Sequence, residues 1–159
     1  MRDNDDENDS SSPKGITSMK NVVISGGSIT INASFEGIEG ENITIDGGDI
    51  SITSSDDGIN VNVMGGDFTM NGGTIRIYAG GDGIDSNGTI THNGGEIIID
   101  TSVIGPADTP IDYETDFVSD GGSITDTEGN AVVASNMPFG RGMGGRGGFR
   151  NKGEKPVMP

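Results

Sequence analysis

Cysteine is absent from the 159 residues, which excludes disulfides and thiolate zinc sites. No apolar run approaches the roughly 20 residues that span a bilayer. The opening Met1-Arg2-Asp3-Asn4-Asp5-Asp6-Glu7 lacks the apolar stretch of a secretory signal, so a cytosolic protein or a piece of a longer chain is expected. Cations are scarce: nine Lys plus Arg stand against 25 Asp plus Glu. Apolar residues make up only 30% of the chain. That balance ordinarily leaves too little buried surface to offset chain entropy. A solenoid escapes the limit, because a few repeated positions fill its narrow core while the rest of each repeat stays polar. Glycine is what the chain has in quantity, 29 residues, and its placement decides between disorder and a solenoid.

Glycine pairs occur at Gly26-Gly27, Gly47-Gly48, Gly72-Gly73, Gly94-Gly95 and Gly121-Gly122, spaced 21, 25, 22 and 27 residues apart. Each pair sits between two short segments of alternating apolar residues. Val22/Ile24, Ile43/Ile45, Phe68/Met70, Ile90/His92 and Phe117/Ser119 come before the pairs. Ile29/Ile31, Ile50/Ile52, Ile75/Ile77, Ile97/Ile99 and Ile124/Asp126 follow them. Alternation at period two denotes strands with one face inward. A third apolar mark closes each unit at Ile38, Ile59, Ile84 and Ile111, and Ile16 holds the same relation to Val22. Three short strands per turn predict an all-β fold, a single-stranded right-handed parallel β-helix of about five coils over residues 14–135. Residues 1–13 are expected to be a disordered acidic segment, and 136–159 a flexible Gly/Arg/Met-rich tail. His92 takes an inward position, where a hydrogen-bonded imidazole is expected rather than a ligand. Ser119 and Asp126 replace inward apolar residues, so the core is expected to fade there.

Stacking coils about 4.8 Å apart turns repeated acids into columns. Glu36, Asp57 and Asp82 stand two places before the third apolar mark, and Glu39, Asn60, Asp85 and Asp112 one place after it. Like charges about 5 Å apart repel by roughly 3 kcal/mol at an effective dielectric near 20. Between residues 21 and 135 Arg76 is the only cation, against 19 acids, so the counter-charge is expected to come from a bound ion. Calcium suits six to eight carboxylate, amide and carbonyl oxygens in a flexible arrangement. The expected metal ligands are Glu36, Glu39, Asp56, Asp57, Asn60, Asp82, Asp85 and Asp112. Asp46, Asp49, Asp67, Glu96 and Asp100 fit a solvated face instead.

Ser34-Phe35-Glu36-Gly37-Ile38-Glu39-Gly40, Ser55-Asp56-Asp57-Gly58-Ile59-Asn60, Gly81-Asp82-Gly83-Ile84-Asp85-Ser86-Asn87-Gly88 and Ile111-Asp112-Tyr113 run in one order across about residues 14–137. They resemble the bacterial carbohydrate-binding β-helix proteins. The resemblance implies a polysaccharide-lyase-like fold, calcium along the helix on Asp56, Asp57, Asn60, Asp82 and Asp85, and association with cell-wall polysaccharides such as cellulose and pectin. It also implies an extracellular or cell-surface location. Members carry further coils before the Phe-Glu-Gly-Ile coil, so a partial member is expected, with an N-terminal coil edge open to end-to-end self-association.

The expected function is a non-catalytic, calcium-stabilised carbohydrate-binding module, with Tyr78 and Tyr113 stacking on sugar rings and Arg76 beside them. A calcium-dependent polysaccharide lyase and a structural or adhesive surface protein are the alternatives. A lyase needs a base, and within the helix only Arg76 and the inward His92 are near candidates. The basic Gly140–Arg150 tract is read as a tail able to rest on its own acidic helix, with no nucleic-acid partner.

Overall fold

The computed structural model describes residues 12–136. The acidic segment and the tail expected at the two ends lie almost wholly outside the described residues. Fifteen strands follow one another with no helix among the described residues, so none is long and apolar enough to cross a membrane. Each coil contributes three strands. The first coil holds β1 (Lys14–Thr17), β2 (Asn21–Ile24) and β3 (Ser28–Ser34); the second, β4 (Glu36–Gly40), β5 (Asn42–Ile45) and β6 (Asp49–Ser54). The third holds β7 (Ile59–Val61), β8 (Asp67–Met70) and β9 (Thr74–Ala79); the fourth, β10 (Ile84–Ser86), β11 (Thr89–His92) and β12 (Glu96–Ile99). The fifth holds β13 (Ile111–Tyr113), β14 (Asp116–Ser119) and β15 (Ser123–Asp126).

Strands stack in three five-stranded parallel sheets. The first sheet runs β1-β4-β7-β10-β13, and the others are assembled alike from β2 to β14 and from β3 to β15. The protein is therefore the parallel β-helix of five coils that the repeat predicts. Register follows the apolar marks: Ile16 pairs with Ile38, Ile38 with Ile59, Ile59 with Ile84 and Ile84 with Ile111. Ile38, Ile59, Ile84 and Ile111 are fully buried. Burying each isoleucine contributes about 1.5–3 kcal/mol, and a lone coil could not supply its ceiling or floor.

The corner between the second and third strands turns on the second glycine of each pair, with φ of 93°, 109°, 88°, 88° and 79° at Gly27, Gly48, Gly73, Gly95 and Gly122. A side chain there would be strained, which is why the pairs recur. Asn71 Nδ2 donates to Asp46 Oδ1 (2.7 Å), and Asn93 Nδ2 donates to Asn71 Oδ1 (2.8 Å), so an amide ladder secures these corners from outside. Asp46 thus has a defined structural task on the solvated face.

His92 is wholly buried. Its Nε2–H donates to the Gly95 carbonyl (3.2 Å), which leaves Nδ1 to accept from the Ser119 hydroxyl (3.1 Å). Burial holds its pKa below the ordinary value, so the ring is neutral and structural, as expected of an inward imidazole. Past Asp126 the chain folds back. Val132 N–H donates to Ile124 O, Ser135 pairs with Asp112, and Ala134 is buried, so this return covers part of the last coil where the apolar column gives out.

The first coil carries a bulge between Ile31 and Ser34, with exposed Ala33 at φ 61°. A β-carbon costs about 1–2 kcal/mol in that left-handed region, partly offset by the greater chain entropy glycine loses on folding. Ala33→Gly is expected to raise the free energy of unfolding by about 0.5–1 kcal/mol in urea titration; a loss of that size would show the bulge to be unstrained.

Candidate functional site

The acidic columns form on the first sheet and on the turns leading into it from the third. Glu39, Asn60, Asp85 and Asp112 are paired strand to strand, as the spacing predicts. The other column is set by a glycine-isoleucine step in the first four coils, which Pro110-Ile111 replaces in the fifth. Gly37 N–H donates to Asp57 O and Gly58 N–H donates to Asp82 O, which places Glu36, Asp57 and Asp82 above one another. Two triads result. Glu36, Asp56 and Asp57 each bring a carboxylate oxygen within 4.8 Å of the others, and so do Asp82, Asp85 and Asp112.

Burial is the largest influence on these groups. It pushes Asp57 up to about 8, helped by the charges of Asp82, Asp56 and Asp85 and opposed by the Asp82 amide that donates to its Oδ1 (2.8 Å). Burial likewise lifts Asp82 to about 7 against the bond from the Thr109 amide, with Asp85, Asp112 and Asp108 adding repulsion. Asp85 is lifted to about 6 by burial and then by Asp112 and Glu36. Asp56 is raised by burial and by Asp108. Carboxyls that resist ionisation inside a cluster are suited to an added cation, because the cation removes the repulsion that holds their protons.

The N-terminal end of the ladder departs from the sequence-based expectation that the protein supplies no counter-charge. Lys14 pairs in register with Glu36, and its Nζ lies 2.8 Å from Glu36 Oε2 and 3.4 Å from Glu39 Oε2. Asn60 Nδ2 donates to Glu36 Oε1 (2.9 Å), so both oxygens of Glu36 already have protein partners. Burial raises the Glu36 pKa, with Glu39 acting in the same sense and Lys14 and Asn60 opposing. Burial acts in the same sense on Glu39, but the bond with Glu36 and the charge of Lys14 outweigh it and hold that group low. Burial lowers the Lys14 pKa, but Glu36 and Glu39 reverse it and keep the ammonium charged. The other two cations among the described residues pair elsewhere, Lys20 with Glu41 and Arg76 with Asp49. The residues best placed to hold a divalent ion are thus Asp56 and Asp57 in the upper triad and Asp82, Asp85 and Asp112 in the lower.

Two further features favour oxygen ligation there, and the sequence pattern did not mark either as part of the site. Thr109 takes the place in the column that Asp82 holds one coil earlier, and its buried hydroxyl oxygen has no hydrogen-bond partner. Gly81 lies beneath the upper triad, where an added β-carbon would stand 2.7 Å from an oxygen of Asp56 and an oxygen of Asp57.

The expected sugar-stacking residues separate. Tyr78 is 48% exposed on the outer face of the third sheet, two residues from Arg76 in β9. Tyr113 is 4% exposed, and its ring lies 5.8 Å from that of Phe117. It shares the inward column of Val61 and Ser86, so it offers no face to a sugar and the expected outward orientation is corrected.

The fold is a parallel β-helix whose acidic columns bring two groups of carboxylates close enough together to hold a metal ion. A family model described as carbohydrate-binding domain-containing protein matches residues 1–58. That stretch includes the first two coils and the Asp56-Asp57 turn, and it supports a carbohydrate-binding role. No curated protein and no solved structure compared with the chain matches it.

Proposed function

We propose that the protein is a non-catalytic, calcium-stabilised carbohydrate-binding module for extended cell-wall polysaccharides of the cellulose or pectin class, acting outside the cell or at its surface. The observation that carries the proposal is the coincidence of a five-coil parallel β-helix with two carboxylate triads, in a chain whose first coils match a carbohydrate-binding family model. Bound calcium would rest on Asp56, Asp57, Asp82, Asp85 and Asp112 and supply the charge that keeps successive coils together. End-to-end association through the N-terminal coil edge belongs to the same proposal.

A lyase reading draws on the same triads but lacks support for a base. His92 is enclosed, Lys14 is held charged by two glutamates, and Arg76 is engaged by Asp49 at 2.7 Å. The test is retention of the full chain on insoluble cellulose and on calcium-pectate gel, with and without chelator, alongside an assay for unsaturated products. Retention weakened by the chelator is expected. Steady release of unsaturated products would replace binding with catalysis, and no retention on any polysaccharide would leave a purely structural protein.

A further inference from the structure

The outer face of the third sheet carries two columns of side chains that run along the helix axis. Ser51, Arg76 and Ile98 form one, paired strand to strand, and Thr53 and Tyr78 continue into Asp100 in the other. A shallow groove lies between them, with Thr127 at its far end. None of these residues belongs to either acidic triad. We infer that this groove is the sugar-contacting subsite and that it takes an uncharged polysaccharide in preference to a polyuronate, an inference that rests on the carbohydrate-binding proposal.

The lining has the mixture that a pyranose ring requires. Half-exposed Tyr78 presents an aromatic face to the apolar C–H side of a sugar, and outward Ile98 extends that surface by one coil. Thr53, Ser51 and Asp100 offer hydroxyl and carboxylate partners for sugar hydroxyls, and Arg76 offers donors. Asp100 is fixed by bonds from Ser102 N and Ser102 Oγ at 3.0 and 2.6 Å, and Arg76 by Asp49, so the polar groups stand in place before a ligand arrives. Successive coils set the next pair of outward positions about 4.8 Å further on, which suits an extended polymer laid along the axis.

Charge decides the class of polymer. The groove's one cation is already neutralised by Asp49 and has Asp100 nearby, while the described residues carry 19 acids against Lys14, Lys20 and Arg76. A polymer bearing a carboxylate on every ring meets Asp100 and the net negative charge of the molecule here, with the one cation of the groove already paired. A neutral glycan meets none of that repulsion and keeps all the hydroxyl partners.

Isothermal titration of the full chain in calcium, with cellohexaose, xylohexaose and hexagalacturonate as probes, tests the assignment. Binding of a neutral hexasaccharide is expected, with hexagalacturonate weaker at low salt. Tyr78→Ala is expected to weaken the neutral ligand at least tenfold without moving the melting temperature, and Thr53→Tyr, adding a second ring in the same column, is expected to strengthen it. Thr69→Ala on the outer face of the second sheet serves as the unaffected comparison. Tighter binding of hexagalacturonate, or neutral binding indifferent to Tyr78, overturns the groove assignment while leaving carbohydrate binding intact. Absence of binding to all three probes, together with absence of retention on insoluble polysaccharides, overturns both.

Discussion

Stripped of divalent ions, the protein is expected to become less stable as the pH rises from 5 to 8, and calcium is expected to reverse that loss. The folded chain holds protons on Asp85 to about pH 6, on Asp82 to about 7 and on Asp57 to about 8, whereas the unfolded chain releases them near 3.8. Between these limits the native state binds more protons, so unfolding becomes easier as they are removed. The contribution is fully present below about pH 4 and is lost as the pH rises through 6, 7 and 8. Each tenfold difference in proton affinity between the two states is worth about 1.4 kcal/mol, reduced where solvent reaches the carboxylate. His92 acts in the opposite sense at lower pH. Its depressed pKa favours the native state above about 6.5, and that contribution fades as acid protonates the unfolded chain. Calcium binding only the native state at a hundred times its dissociation constant would add about 2.7 kcal/mol, which for a domain of this size is on the order of 10 °C in melting temperature. The gain should be large at pH 7.5 and small at pH 5, where protons compete for the same oxygens. Asp57→Asn is expected to stabilise the metal-free protein at pH 8 and to diminish the calcium response. A melting temperature that climbs with pH in chelator, or that ignores calcium at pH 7.5, would sink the metal proposal.

The coil count, the three apolar marks and the strand register were legible because stacking imposes a single spacing on every turn. Ile16, Ile38, Ile59, Ile84 and Ile111 could be aligned by inspection, and the acids two places before and one place after them followed. Lys14 obeys the same rule, since Lys14-Gly15-Ile16 repeats Glu36-Gly37-Ile38 and Asp57-Gly58-Ile59. It lies before residue 21, outside the stretch in which Arg76 is the only cation. Tyr113 was also legible: two places after inward Ile111, period two turns it inward, and its aromatic character alone suggested a surface role. Thr109, two places before Ile111, falls in the column by the same rule, but its unpartnered hydroxyl and the return of residues 131–136 over the last coil were not legible. The return depends on irregular backbone at the turn of Gly129, where no repeat dictates position. Distances within the triads lay further out of reach, because the spacing fixes which carboxylates are neighbours and leaves their rotamers open.

Gly58→Ala is expected to destabilise the protein by about 3 kcal/mol or more, although alanine is among the mildest of substitutions. Gly58 has no left-handed backbone to excuse it, for it is absent from the positive-φ positions, so the demand is for space. A β-carbon there would stand 2.5 Å from Ile77 Cγ2 and 2.6 Å from Gly83 O. The isoleucine could shift at some cost in packing, but the carbonyl belongs to the next coil and is the acceptor of the Ile59 N–H. Room for the methyl group therefore means lifting one coil off another beside Asp57 and Asp82. Gly37 and Gly83 face the same arrangement, with the Gly58 and Pro110 carbonyls respectively lying where a β-carbon would go. Gly26→Ala is the informative companion, because nothing lies within 4 Å of its added carbon and its φ is not positive. Urea denaturation should find that variant within about 0.5 kcal/mol of the parent. Equal effects at the two glycines would mean that the coils do not approach as closely as the column requires, and the acidic triads, which depend on that approach, would lose their basis.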